Sequence, residues 1–89
     1  HIAPIRISVA DTVVELGAFL PDAGTVTFRD LTAGIEEQIR VVVHFLAILE
    51  LYKQGAVELQ QADSFGEILV SWRPDGYLAN GDRVDIYEG

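Results

Sequence analysis

Cysteine is absent from the 89 residues, and methionine with it. The first absence removes disulfides, thiolate metal sites and a cysteine nucleophile together, and it agrees with a reducing compartment. The second means that His1 does not open a reading frame, so the chain is expected to be a domain of a longer protein. Basic residues are scarce. Six Lys and Arg stand against 14 Asp and Glu, a net charge of −8. Nucleic-acid binders draw their affinity from phosphate neutralisation, so this balance sets the electrostatics against direct DNA contact. Acidity by itself names no partner, because it also serves solubility. No apolar run approaches the roughly 20 residues of a membrane helix and no signal peptide is visible, which predicts a soluble module with no membrane contact.

What is present suits one packed domain: 49% of the residues are hydrophobic and 22% charged, too rich in core-forming residues for a disordered chain. Residues 1–7 read as an extended N-terminal segment, because Pro4 disfavours helix at its predecessor and Ile5, Arg6 and Ile7 alternate. Ser8 and Asp11 form a capping pattern. Val9, Val13, Leu16 and Leu20 then follow at helical spacing, predicting a first helix over residues 9 to 20 that the turn residues Pro21 to Gly24 stop. Thr25, Val26 and Thr27 suit a brief strand. Thr27 and Asp30 repeat the capping pattern for a short helix from Phe28 to Ala33. A long third helix is expected from Ile35 to Gln54, with Glu36 and Glu37 in its first turn, Lys53 in its last and Gly55 as its stop. Val57 to Gln60 and Ile68 to Trp72 read as a hairpin.

This order predicts an α+β fold, a winged helix made of a three-helix helix-turn-helix unit and an antiparallel β-hairpin wing, over residues 8–73. Residues 74–89 read as an acidic C-terminal tail, in which Val84 to Tyr87 could add one further strand.

The third helix carries the functional argument. In a DNA-binding winged helix it would offer Arg, Lys, Asn or Gln to base edges, and here it holds Arg40, Lys53 and Gln54 against Glu36, Glu37 and Glu50. At about 100° per residue, Ile39, Val41, Val42, Phe45, Leu46, Ile48, Leu49 and Tyr52 fill one arc, which is expected to face the core. Val43, Ala47 and Leu51 run through the other side at four-residue spacing, among Arg40, His44, Glu50 and Gln54. That apolar ridge is covered either by the wing or the tail of the same chain or by another polypeptide. On the first helix, Ala10, Val14 and Ala18 line the side away from the main stripe.

Catalytic and metal constellations are missing. Glu36 and Glu37 point about 100° apart on a helix. His44 has Arg40 and Ile48 four residues either side, which leaves no zinc pair, and it reads as a surface or partner-contact histidine. Asp82, Asp85 and Glu88 lack the spacing of a calcium loop. Ser8, Ser64 and Ser71 belong to no nucleophile motif, and there is no phosphate-binding glycine loop. The expectation is a non-enzyme with no cofactor and no metal. Trp72 is expected to close the core edge with its N–H towards polar surroundings.

The segment Val41-Val42-Val43-His44-Phe45-Leu46-Ala47-Ile48-Leu49-Glu50-Leu51, followed by Val57-Glu58-Leu59-Gln60 and by Phe65-Gly66-Glu67-Ile68, resembles the C-terminal domain of segregation and condensation protein A, the bacterial kleisin. Ser8-Val9-Ala10 and Thr27-Phe28-Arg29-Asp30-Leu31 resemble the start of its first helix and the step into its second, so the likeness covers residues 8 to 72. His44 departs from the family's usual small polar residue, Ile48 from its usual Leu, and residues 73–89 have no general counterpart. The resemblance implies a winged helix that docks on the ATPase head of an SMC protein. The kleisin's other end would bind a second SMC subunit, and segregation and condensation protein B would bind the rest of the kleisin. DNA would then be met only indirectly, in the cytoplasm at the nucleoid. Carried across to this chain, the expected interface is Val43, Ala47 and Leu51 with flanking His44 and Tyr52, with the wing strands as a second candidate. The alternatives are a DNA-binding winged helix of a transcription regulator and a module that pairs with its own copy.

Overall fold

The computed structural model describes residues 8–74, so the expectations for the N-terminal segment 1–7 and for the tail beyond Pro74 lie outside the described residues. The order is helix α1 (Val9–Ala23), strand β1 (Thr25–Thr27), helix α2 (Phe28–Leu31), helix α3 (Gln38–Lys53) and strands β2 (Val57–Gln61) and β3 (Ile68–Trp72). Three helices and a three-stranded antiparallel sheet make an α+β fold consistent with a winged helix.

Both capping patterns act as their residue types require. Ser8 Oγ accepts from the Asp11 N–H at 3.0 Å, and Thr27 Oγ1 accepts from the Asp30 N–H at 2.9 Å. Helix α1 runs through Pro21 to Ala23 rather than stopping at Leu20. A proline in the last turn removes a single backbone donor, and Gly24, at φ 79°, closes the helix with its N–H on the Leu20 carbonyl at 2.9 Å. Helix α2 ends at Leu31, earlier than expected, where Thr32 donates its hydroxyl to the Phe28 carbonyl at 3.1 Å. Helix α3 starts at Gln38, so Glu36 and Glu37 precede it instead of forming its first turn. Glu37 is the N-cap residue without a side-chain cap bond, and its carboxylate lies 3.6 Å from Arg40 Nη1. At the other end Gly55, at φ 81°, lets the Ala56 N–H reach back to the Leu51 carbonyl at 2.9 Å. That closure turns the chain straight into β2.

The strand order is β1-β3-β2, with Thr25 opposite Ser71 and Val57 opposite Trp72. Strand β1 thereby clips the start of the helix-turn-helix to the wing, helped by a 3.0 Å hydrogen bond between the Thr25 and Ser71 hydroxyls. The core lies between α1, α3 and the sheet. It comprises Leu16, Leu20, Ala47, Ile48, Leu51, Ala56, Val57 and Val70, with Trp72 packed half-buried against its edge.

The rotation of α3 about its axis is the reverse of the expected one. Val43, Ala47 and Leu51, read as a ridge facing outward, are buried, with Ala47 at 0% and Leu51 at 1% exposure. His44 is buried beside them. Of the arc expected to face the core, only Ile48 is buried and Val41 half-buried, while Ile39, Val42, Phe45, Leu46, Leu49 and Tyr52 are exposed. The physical reason is α1. Its buried residues are Thr12, Leu16 and Leu20, and a helix pair approaches closely where the facing side chains are small, which favours the Val43-Ala47-Leu51 line over the bulkier Leu46-Leu49 side.

Candidate functional site

Six of the nine exposed large hydrophobic side chains among the described residues lie on the outer face of α3. Ile39, Val42, Leu46 and Leu49 follow at spacings of three and four residues and form one continuous stripe, each between 39% and 45% exposed. Phe45 and Tyr52 widen it on one side. Phe45 is held by an edge-to-face contact with Phe28 of α2, ring centroids 5.8 Å apart at 85°, so this part of the face is fixed in place. Beyond it, Phe28, Phe45, Leu49, Leu59 and Ile68 line an apolar groove of about 200 Å³ between α3 and the wing. At the wing tip Phe65 is fully exposed. A set of large apolar side chains on one rigid helix, bordered by a groove and an exposed aromatic, is what a polypeptide partner would cover.

Of the five residues expected at an interface, Tyr52 alone is exposed, at 54%. Val43, His44, Ala47 and Leu51 are shielded by the protein itself. The exposed apolar residues of α3 include Val42, Leu46 and Leu49, which belong to the arc that the helical spacing placed against the core. Glu50 and Gln54 sit at the margin of the buried face, where short local bonds satisfy them. Gln54 Nε2 donates to Glu50 Oε2 at 3.0 Å, and Lys53 Nζ lies 3.2 Å from Glu50 Oε1. These contacts, the Gln54 bond foremost, hold the Glu50 carboxyl below its usual value. The His44 ring meets the Arg40 carbonyl at 2.8 Å through Nδ1, which anchors the mostly buried ring against its own helix. Arg40 Nε is buried without a hydrogen-bond partner.

Among the described residues no group of three His, Asp or Glu side chains is placed to hold a metal ion. No helix among them is long and apolar enough to cross a membrane. The face that a helix-turn-helix regulator turns to base edges carries Val42, Leu46 and Leu49, which offer no hydrogen-bonding group.

Residues 1–73 match the family described as Segregation and condensation protein ScpA. The chain belongs to this family. Similar proteins named Segregation and condensation protein A include that of Lactococcus lactis subsp. lactis (strain IL1403), 30% identical over 69 residues, which are 78% of this chain and 28% of that protein. That of Halothermothrix orenii is 40% identical over 58 residues, covering 65% of this chain and 24% of the relative. That of Clostridium perfringens (strain SM101 / Type A) is 31% identical over 65 residues, covering 73% and 26%. The chain therefore spans about a quarter of the length of these relatives. Within segregation and condensation protein A, a kleisin of chromosome partition and condensation, the compared segment is the one that carries α3 and the wing.

Proposed function

We propose that this chain is the C-terminal winged-helix domain of a kleisin and docks, without catalysis, on the ATPase head of an SMC protein. Segregation and condensation protein B would bind elsewhere on the full-length kleisin, and DNA would be engaged only through the assembled complex, in the cytoplasm at the nucleoid. The observation that carries the reading is the outer face of α3. A helix buried on one side by Ala47, Ile48 and Leu51 still exposes Ile39, Val42, Leu46 and Leu49 on the other, and this is a surface for protein rather than for phosphate. Membership of the segregation and condensation protein A family supports this choice of partner.

The test is co-purification of the chain with an SMC head domain. Leu46→Glu with Leu49→Glu places two carboxylates in the stripe, and the head should no longer be retained while circular dichroism and the thermal midpoint stay close to wild type. Retention at wild-type level by the folded double variant moves the contact off this face. Leu51→Glu is no probe of the contact, because a carboxylate at that buried position would unfold the domain. Pairing of two copies through the same stripe would show as a dimer in sedimentation of the chain alone, whereas a head-docking domain sediments as a monomer.

A further inference from the structure

On the other side of α3 from the stripe, a cleft of about 320 Å³ opens between α1, β1, α2 and α3. This lies at the small end of the ~300–1,000 Å³ range of ligand sites. Its walls are the apolar Phe19, Val26 and Leu31, and its polar groups are Glu15, Asp30 and His44. Phe19 is 53% exposed, so much of an aromatic side chain is open to a visitor. Positions 44 and 46 diverge by about 160° around the helix, which makes this cleft independent of the docking face proposed above.

The hydrogen-bonding character of the cleft is one-sided. Glu15 and Asp30 form no ion pair within the described structure, and a carboxylate only accepts. His44 is more than nine-tenths buried, with Nδ1 2.8 Å from the Arg40 carbonyl oxygen. A carbonyl cannot donate, so in the neutral ring the proton sits on Nδ1 and Nε2 is left as an acceptor. Nε2 forms no hydrogen bond among the described residues. Two carboxylates and, in the neutral ring, an imidazole lone pair thus line one cleft whose remaining side chains, Leu16, Phe19, Val26 and Leu31, bring no donor. The missing complement is a donor-rich cation with an apolar stem and a flat face that can lie on Phe19.

We propose that this cleft receives an arginine side chain of a partner polypeptide. The guanidinium presents five N–H donors in one plane, enough to serve several acceptors at once, and it stacks on an aromatic ring. Lysine brings a compact, strongly hydrated charge that cannot stack in this way. The three methylenes of arginine lie along Val26 and Leu31 while the head meets Glu15 and Asp30.

The experiment is a titration of the isotope-labelled chain, followed by NMR, with N-acetyl-arginine-methylamide as probe and the lysine and norleucine analogues as controls. The expected result is saturable shifts confined to Glu15, Phe19, Asp30, Leu31 and the His44 ring, with a dissociation constant on the order of 1 mM for a single side chain. Lysine should bind at least fivefold more weakly and norleucine should not saturate. Glu15→Gln and Asp30→Asn, both at exposed side chains, should each weaken the arginine probe severalfold while the remaining amide spectrum stays in place. Equal affinity for lysine, saturation by norleucine, or affinity unchanged in the Glu15→Gln, Asp30→Asn double variant would overturn the assignment.

Discussion

Glu50 shows how one side chain on α3 ties pH to stability. Its carboxylate accepts from Gln54 one turn on and faces Lys53, and these contacts favour the ionised form. Only partial burial opposes them. The folded carboxyl therefore loses its proton below the ordinary value of 4.5, and the unfolded one near it. A depressed value in the folded state means that stability is fully present above the unfolded value and is lost as pH falls through the folded one. The side chain is 36% exposed, so solvent screening limits the effect to about 0.5 kcal/mol. Glu50→Gln should lower the urea midpoint slightly at pH 7, and the gap to wild type should close as the pH falls below 4.5. A gap that stays constant down to pH 3 would assign the difference to packing instead. Lys53, in the last turn of α3, is also where the helix dipole favours a cation, so the same residue serves the helix end and the ion pair.

At the scale of the element, α3 separates what can be read from a sequence from what cannot. Its existence, its stop at Gly55, the capping serine and threonine, and the hairpin that follows all rest on local chemistry, and they are found where the residues predicted them. Rotation about the helix axis is not local. When a helix is apolar on nearly every side, the wider arc need not be the inner one, because the choice depends on the shape of the neighbour it meets. Here the neighbour is α1, whose Leu16 and Leu20 share one buried cluster with the small Ala47. The candidate site inherited the inversion. The ridge Val43, Ala47 and Leu51, on which the expectation of a second apolar surface rested, is buried by the chain itself, and the exposed apolar surface of α3 lies on Leu46 and Leu49. Two truncations of the same side chain on this helix measure the assignment directly. Leu51→Ala should cost about 2–5 kcal/mol by opening a cavity, and Leu46→Ala should stay within about 1 kcal/mol in chemical denaturation. Similar losses at both positions would contradict the placement of the two faces.

For the whole molecule, charge and apolar surface divide the functions between them. The net charge of −8 is carried by a fold in which every ion pair described is exposed and short-range, such as Arg29 with Glu67 at 3.2 Å and Arg73 with Glu58 at 3.9 Å. Four of the chain's six cations are thereby already matched with carboxylates, two of these on α3 and one on each of α2 and the wing end. A duplex would have to displace these pairs and approach an acidic body, while the helix in the recognition position would present valine and leucine to the groove. The chain should therefore leave a short DNA duplex unretarded in a mobility assay even at salt as low as roughly 20 mM, where a regulator's winged helix binds most tightly. Docking of the same chain on an SMC head should respond differently. Its energy would come from covering the α3 stripe, so raising salt should slow association by screening the acidic rim while leaving dissociation nearly unchanged. Retardation of DNA that fades steeply with salt, together with salt-driven release from the head, would transfer the function from the apolar face to the few cations.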